Sequence, residues 1–308
     1  MDRSVMFLQR TLRKSIVVEG VGIHSGQKCQ LTFRPAPANT GVYFIRKDLP
    51  HSPSVKVAAK NVKATSYQTV IANDIFSVAT IEHCVSALAA LRVDNLFIEL
   101  DGPEIPICDG SANDFLNAIL QVGWFDQDAP RKYCYVREPI VVEEGDKHAY
   151  VLPYTGLRLT VTIDFPHPLI GKQKIDIDVN ESTFAKDIAP ARTFGFLKDV
   201  ESLQARGLAR GGSLENTIVL TQSGLMEKQT LRFVDEFVRH KCLDALGDLV
   251  TLELPLMGHV ILYKAGHDLM NQLVRKIQET PGSTKIVELG ADLSDAIAKY
   301  SRYQLPEN

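Results

Sequence analysis

Twice along this 308-residue chain a run of strand-like segments gives way to two helices, and that repeated order limits the fold more than any other feature. In the first half, Ser15-Ile-Val-Val and Cys29-Gln-Leu-Thr-Phe33 flank the turn-rich Gly20-Val-Gly-Ile-His-Ser-Gly26 and read as a hairpin. Val42-Tyr-Phe-Ile and Asn95-Leu-Phe-Ile-Glu-Leu100 are further strands. Helices are expected through Ser77 to Leu91, capped by Ser77 or Thr80, and from about Ala112 to Val122. In the second half Gly145 turns one strand into the next. Leu157, Leu159, Val161, Ile163 and Phe165 then alternate onto one face of a longer strand. A strand-helix-strand unit from Thr193 to Leu220, a helix around His240, the strand Gly258 to Tyr263 and a helix from Asp268 to Gln278 complete the half. Asp126, Asp128 and Pro130 give Gly123 to Arg131 the composition of a linker, which divides the chain into residues 1–128 and 129–308. The expected class is α+β, built from two similar modules packed on each other.

Composition removes several functions. With 45% hydrophobic and 23% charged residues and a net charge of −3, nothing suggests nucleic acid as a partner. No apolar run approaches the roughly 18 residues of a membrane span, so no stable membrane insertion is expected. The basic N-terminus (Arg3, Arg10, Arg13, Lys14) lacks the apolar core of a signal peptide, and the protein is expected in the cytoplasm as a monomer. Cys29, Cys84, Cys108, Cys134 and Cys242 are scattered, with no Cys-x-x-Cys pair. They read as reduced thiols, so any metal site must use His and carboxylate. Gly207 to Ser213 lacks the ending of a phosphate loop and reads as a turn.

Two segments carry chemistry. In Phe237-Val-Arg-His-Lys-Cys-Leu-Asp-Ala-Leu-Gly-Asp248, helical spacing sets His240 and Asp244 one turn apart, with Lys241 and Asp248 in the same sector. Such a helix can offer two ligands to one ion. Glu82 and His83 fall in the first turns of the earlier helix. Adjacent side chains there diverge by about 100°, so they divide the work: His83 binds, while Glu82 addresses a water on the metal.

Read together, Thr11-Leu-Arg, Gly20 to Gly26, Arg34-Pro-Ala-Pro-Ala-Asn-Thr-Gly41, Thr80-Ile-Glu-His83, Pro103-Glu-Ile-Pro-Ile-Cys-Asp-Gly-Ser111, Ala191-Arg-Thr-Phe-Gly-Phe196, Asp235 to Asp248 and Lys264-Ala-Gly-His267 resemble the UDP-3-O-acyl-N-acetylglucosamine deacetylases, zinc amidases of bacterial lipid A biosynthesis. The resemblance runs from about Arg10 to His267. The chain is expected to lack the acyl-carrier-protein dehydratase domain that some bacteria fuse to this enzyme. What the resemblance implies for the fold is two α+β domains with their helix layers sandwiched between the sheets and small inserted subdomains.

For the site, the resemblance implies His83, His240 and Asp244 as ligands of one catalytic Zn2+, with Fe2+ as the alternative ion in the cell. It implies Glu82 as general base, and His267, oriented by Asp248, as the cationic or acidic partner of the leaving amine. Thr193 would donate to the oxyanion. Lys241, counted with the catalytic set, joins Lys147 and Lys264 toward the pyrophosphate, Phe165 stacks on uracil with Asp164 at its edge, and Phe194 belongs to the same substrate pocket. Val200, Leu203, Ala209, Gly212, Ser213 and Leu214 would shape an apolar passage for the acyl chain within the insertion at about 193–220. His24 is a site residue of less defined role, and Asp109 is structural. The expected activity is hydrolysis of the 2-acetamido group of UDP-3-O-(3-hydroxyacyl)-N-acetylglucosamine. The rivals are a metal-dependent deacetylase acting on another N-acetyl substrate and a non-enzymatic binding protein for nucleic acid or another partner.

Overall fold

The hairpin expected around Gly20 forms, and the strands beside it build one sheet. The computed structural model describes residues 8–288. It opens with β1 (Leu8–Leu12), β2 (Ile16–Val21), β3 (Lys28–Pro35), β4 (Val42–Arg46), β5 (Ser54–Lys56), β6 (Val62–Ala64), β7 (Val70–Ala72) and β8 (Ser77–Val78). Helix α1 (Glu82–Ala90), β9 (Leu96–Leu100) and α2 (Asn113–Val122) complete this unit. The main sheet runs β2-β3-β9-β4-β5, with β9 and β4 parallel and the other neighbours antiparallel. Strands β6, β7 and β8 make a small separate sheet.

Strand β10 (Trp124–Pro130) returns to pair with β1, and the second unit then holds β11 (Lys132–Val136), β12 (Ile140–Glu144), β13 (Lys147–Leu152), β14 (Leu157–Phe165) and β15 (Gly171–Asp178). After the short α3 (Glu181–Thr183) come β16 (Phe194–Phe196), α4 (Leu197–Ala205), β17 (Ile218–Leu220), α5 (Glu236–Leu249), β18 (Leu256–Tyr263), α6 (His267–Glu279) and β19 (Thr284–Glu288). Its seven-stranded sheet contains the run β12-β13-β18-β14-β15, in which β18 and β14 are parallel as β9 and β4 are; β11 joins the start of β18, also in parallel, and β19 pairs antiparallel with β11. The two units thus share strand order, strand direction and the placing of a helix before and after the central strand. Helix α2 packs on β2, α5 on β14 and β15, and α6 on β12 and β13, while α1 lies against both α2 and α5. The helices therefore form the inner layers between two sheets, as expected.

Two local expectations are corrected. Gly123 to Arg131 is not a linker, because Trp124–Pro130 is a strand that pairs antiparallel with β1. Its two aspartates and proline are tolerated because this is a two-stranded ribbon rather than a sheet interior. Neither Ser77 nor Thr80 caps α1: the helix starts after Ile81 with no side-chain cap. Ser77 lies in β8, and the Thr80 hydroxyl is engaged with Gln68 and Glu104 instead. In β14 the apolar residues alternate as expected, while Thr160 and Thr162 between them are buried too, Thr160 bonding across to Asp176 and His259 on neighbouring strands, and Asp164 is exposed.

Helices α1 and α5 meet through the one residue type that allows it. A Cβ at Gly247 would overlap the carbonyl oxygen of Glu82, so glycine lets the two backbones touch where both carry site residues. The start of α5 is held by Glu236, fully buried, whose carboxylate accepts from the backbone N–H and Nε of Arg192 at 3.0 and 2.9 Å.

Candidate active site

The close approach of α1 and α5 puts three potential ligands from two units in one place. His83 comes from the first turn of α1, and His240 and Asp244 lie one turn apart on α5. Their ligand atoms all lie within 4.8 Å of one another, and all three side chains are buried. Asp244 Oδ1 stands 3.6 Å from His83 Nε2 and 3.3 Å from His240 Nε2, and it has no hydrogen-bond partner among the described residues. Those separations are long for hydrogen bonds, but they match the edge of a tetrahedron whose metal–ligand distances are about 2.1 Å, which is about 3.4 Å.

Protonation suits the same use. His240 Nδ1 lies 3.1 Å from the carbonyl of Ala191, which can only accept, so Nδ1 carries the hydrogen and Nε2 is left bare. Burial pushes the His240 imidazole down to about 3. Burial would raise the Asp244 carboxyl, but His240 and Lys241 beside it, with His83 and His267 close by, hold it well below the carboxylate range. A bare imidazole and an ionised, unpartnered carboxylate oxygen are what a divalent cation requires, and the donor set fits one.

Glu82 stands outside this triad, as divergence of adjacent helical side chains demands. It is 2% exposed, and its Oε2 accepts the N–H of Thr69 at 3.0 Å. Burial raises its carboxyl, partly offset by the nearby His267 and His83. Its Oε1 faces His267 Nε2 at 3.9 Å. Behind His267 is Asp248, whose Oδ2 lies 2.8 Å from Nδ1. Burial would lower the His267 imidazole, but Asp248, aided by Glu82 and Asp244, lifts it to about 9. A base and a protonated imidazole thus stand side by side next to the triad.

Above them opens a cleft of about 300 Å³, bordered by Glu82, His83, Thr193, Phe194, His240, Lys241, Asp244, His267 and Lys147. Lys241 Nζ bonds Asp244 Oδ2 at 2.8 Å and lies 5.7 Å from the Phe194 ring centre. Burial would lower its ammonium, but Asp244, with Glu82 and Asp248, raises it. Phe194 links the triad to the sheet: its ring centre is 6.3 Å from that of His240 and 5.8 Å from that of Phe165. Lys264, with Nζ 2.8 Å from Asp146 and 3.5 Å from Asp164, sits where β13, β14 and β18 end together.

The residues expected to shape the acyl passage, Val200, Leu203, Ala209, Gly212, Ser213 and Leu214, do not border this cleft. The turn between α4 and β17 docks on the hairpin of the first unit: Ala209 N–H donates to His24 Nδ1 at 3.3 Å, and Arg210 and Gly211 N–H donate to the His24 and Ile23 carbonyls. Ala209 takes a left-handed conformation, φ 54°, and Leu214 is 46% exposed. Val200, Gly212 and Ser213 lie in the same segment. His24 is thereby a docking point for the insertion. Asp109 pairs with Arg232 at 2.8 Å and bonds Ser111, a structural part.

Sequence reasoning missed three contributors. Thr69, 2% exposed, also gives its hydroxyl to Asp248 Oδ1 at 2.6 Å. Glu104, 2% exposed, accepts from the N–H groups of His24 and Ser25 and joins that hairpin to Thr80. Glu144 borders the cleft beside Lys147. The Glu104 signal lay in its own motif, Pro-Glu-Ile-Pro, whereas Thr69 offered none.

The chain is similar to proteins of known name. The family model described as UDP-3-O-acyl N-acetylglycosamine deacetylase matches residues 9–279. A protein of Bdellovibrio bacteriovorus named UDP-3-O-acyl-N-acetylglucosamine deacetylase is 69% identical over 301 residues, spanning 98% of this chain and 100% of the relative. Proteins of the same name from Myxococcus xanthus and Actinobacillus succinogenes are 46% and 48% identical, over 92% and 89% of this chain and 91% of each relative. Among the described residues no helix is long and apolar enough to cross a membrane.

Proposed function

The chain belongs to the UDP-3-O-acyl N-acetylglycosamine deacetylase family, and from that premise we propose that it hydrolyses the 2-acetamido group of a UDP-linked, 3-O-acylated glucosamine. The products are acetate and the free amine, in the cytoplasmic phase of lipid A biosynthesis. The observation that carries this reading is the divided triad of His83, His240 and Asp244 with the Glu82–His267 pair beside it.

We assign Zn2+ as the resident ion, held by His83, His240 and Asp244; when bound it supplies Lewis acidity to the acetyl carbonyl and to the attacking water. Glu82 takes the proton of that water, with one oxygen held by Thr69 and the other free. Thr193, at the border of the cleft, donates its hydroxyl to the oxygen that gains charge, and Lys241 adds a positive charge close by. His267, held protonated by Asp248, gives a proton to the departing amine from Nε2. Lys147 and Lys264 meet the pyrophosphate, Asp164 and Phe165 the uracil. Val200, Ala209, Gly212, Ser213 and Leu214, docked through His24, shape the path of the acyl chain.

The test is direct. Purified protein supplied with zinc and UDP-3-O-acyl-N-acetylglucosamine should release one acetate per free amine. Equal turnover of an N-acetylglucosamine without the nucleotide would instead favour the broader deacetylase reading.

A further inference from the structure

We propose that Thr69 is a positioning residue that sets the base and the acid of the reaction in register across the interface between the two units. The inference rests on the roles given above to Glu82 and His267. These two groups come from different halves of the molecule: Glu82 opens α1 of the first unit, while Asp248 and His267 belong to α5 and α6 of the second. Thr69, just before β7 in the first unit, bonds to both sides.

Counting hydrogens decides what each bond does. The Thr69 N–H donates to Glu82 Oε2 at 3.0 Å, which leaves Oε1 uncommitted. The hydroxyl has a single hydrogen and two neighbours, Asp248 Oδ1 at 2.6 Å and His267 Nδ1 at 3.3 Å. An ionised carboxylate can only accept, so the hydrogen goes to Asp248, in a short charge-assisted bond. His267 Nδ1 must then bring its own hydrogen, which it gives to Asp248 Oδ2 at 2.8 Å with the Thr69 oxygen as a weaker second acceptor. Both oxygens of Asp248 are thereby committed, its carboxylate plane cannot rotate, and His267 Nε2 is aimed at Glu82 Oε1, 3.9 Å away. Among the described residues no other donor reaches Asp248 Oδ1. Without the hydroxyl, a carboxylate only 4% exposed is half-satisfied and free to turn, and the imidazole turns with it.

Thr69→Val keeps the shape and the N–H but removes the hydroxyl, whereas Thr69→Ser keeps both donors. Thr69→Val should lower kcat about tenfold or more, since small misplacements of reacting groups are costly, with KM and metal content near the parent's and a thermal midpoint lowered by only a few degrees, well above the assay temperature. Thr69→Ser should restore kcat to within about twofold. Parent-like kcat in Thr69→Val, or a fall in kcat that tracks loss of metal or of stability, would overturn the proposal. A second measurement needs no variant: long-range proton–nitrogen NMR of the imidazole rings in the zinc-loaded parent should find hydrogen on His267 Nδ1, and a bare Nδ1 refutes the bonding scheme. His267→Ala in the same assay separates the two levels of the argument. Full activity there removes the acid–base reading itself, whereas an impaired His267→Ala beside an unimpaired Thr69→Val removes only the role of Thr69.

Discussion

Replacing Asp248 with Asn should shift the protonation of His267 and, with it, the alkaline edge of turnover. The imidazole is buried, which by itself would lower its pKa, and Asp248 at 2.8 Å is the largest of the carboxylates that reverse this and lift it to about 9. Asn keeps an acceptor for Nδ1–H but not the charge, so burial should bring the imidazole to about 6.5 or lower. At pH 8 a group titrating at about 9 is about nine-tenths protonated and one at about 6.5 is about 3% protonated. If His267 must be protonated, kcat of the variant at pH 8 should fall about 30-fold below the parent's, and the ratio should shrink as pH drops toward 6.5 and below. Stability follows the same sign. The folded parent holds this proton more tightly than the unfolded chain, so the contribution is complete below about 6.5 and is lost as pH rises through about 9. The Asn variant should therefore lose most stability relative to the parent at neutral pH and less at pH 10. The assay is a kcat profile over pH with metal content measured at each point, beside urea unfolding at pH 7 and 10. An alkaline limb that stays where the parent's lies, at equal metal content, would refute the reasoning.

His83→Ala, His240→Ala and Asp244→Ala should each lose the bound divalent ion, as elemental analysis of the purified proteins will show; retention in all three would remove the site. Glu82→Ala should keep its metal but lose about 10²- to 10⁴-fold in turnover, the usual worth of a positioned base, and normal turnover would exclude it from the mechanism. Gly247→Ala forces a methyl group against the Glu82 carbonyl, so α1 and α5 must part, and metal affinity should drop together with the unfolding midpoint. Glu236→Ala removes the fully buried carboxylate that Arg192 pairs with, leaving the half-buried guanidinium only the Thr230 carbonyl, and should cost about 3 kcal/mol in denaturant unfolding. A loss under about 1 kcal/mol would mean that water reaches the guanidinium.

The residues that hold chemistry by helical spacing were legible from the chain, and those that hold it across space were not. His240, Asp244 and Asp248 share a sector because of 3.6 residues per turn, and the divergence of neighbours correctly set Glu82 off the triad. The repeated order of strands and helices likewise foretold two equivalent sheets. The same pattern gives no sign that the polar sector of α5 is buried, since ordinary amphipathic reasoning turns it to water; its burial follows from the contact of α1 with α5, which depends on Gly247. Thr69 has no periodicity to show, because half of its role belongs to a backbone N–H that every residue but proline owns. The ribbon strand Trp124–Pro130 was hidden for a different reason: Asp126 is there to pair with Arg10 at 3.1 Å, and charges that serve a contact look in one dimension like charges that serve solubility.

The five-stranded sheet of the first unit and the run β12-β13-β18-β14-β15 of the second share one strand order, and α1 and α5, preceding the equivalent strands β9 and β18, face each other. Equivalent elements meeting face to face is the geometry of an isologous dimer, in which a single module covers its bare helix layer with a copy of itself. Joining the two copies in one polypeptide removes the obligation to be identical. In a homodimer any base on one helix recurs on its mate, so two like charges meet where a base and an acid are wanted. Here Glu82 and His83 stand on one helix and His240, Asp244 and Asp248 on its counterpart, and a symmetric pair of half-sites becomes one handed site. Broken symmetry, more than either fold unit, also lets His267 of α6 stand 3.9 Å from Glu82 of α1, the pair to which we assign opposite proton-transfer roles.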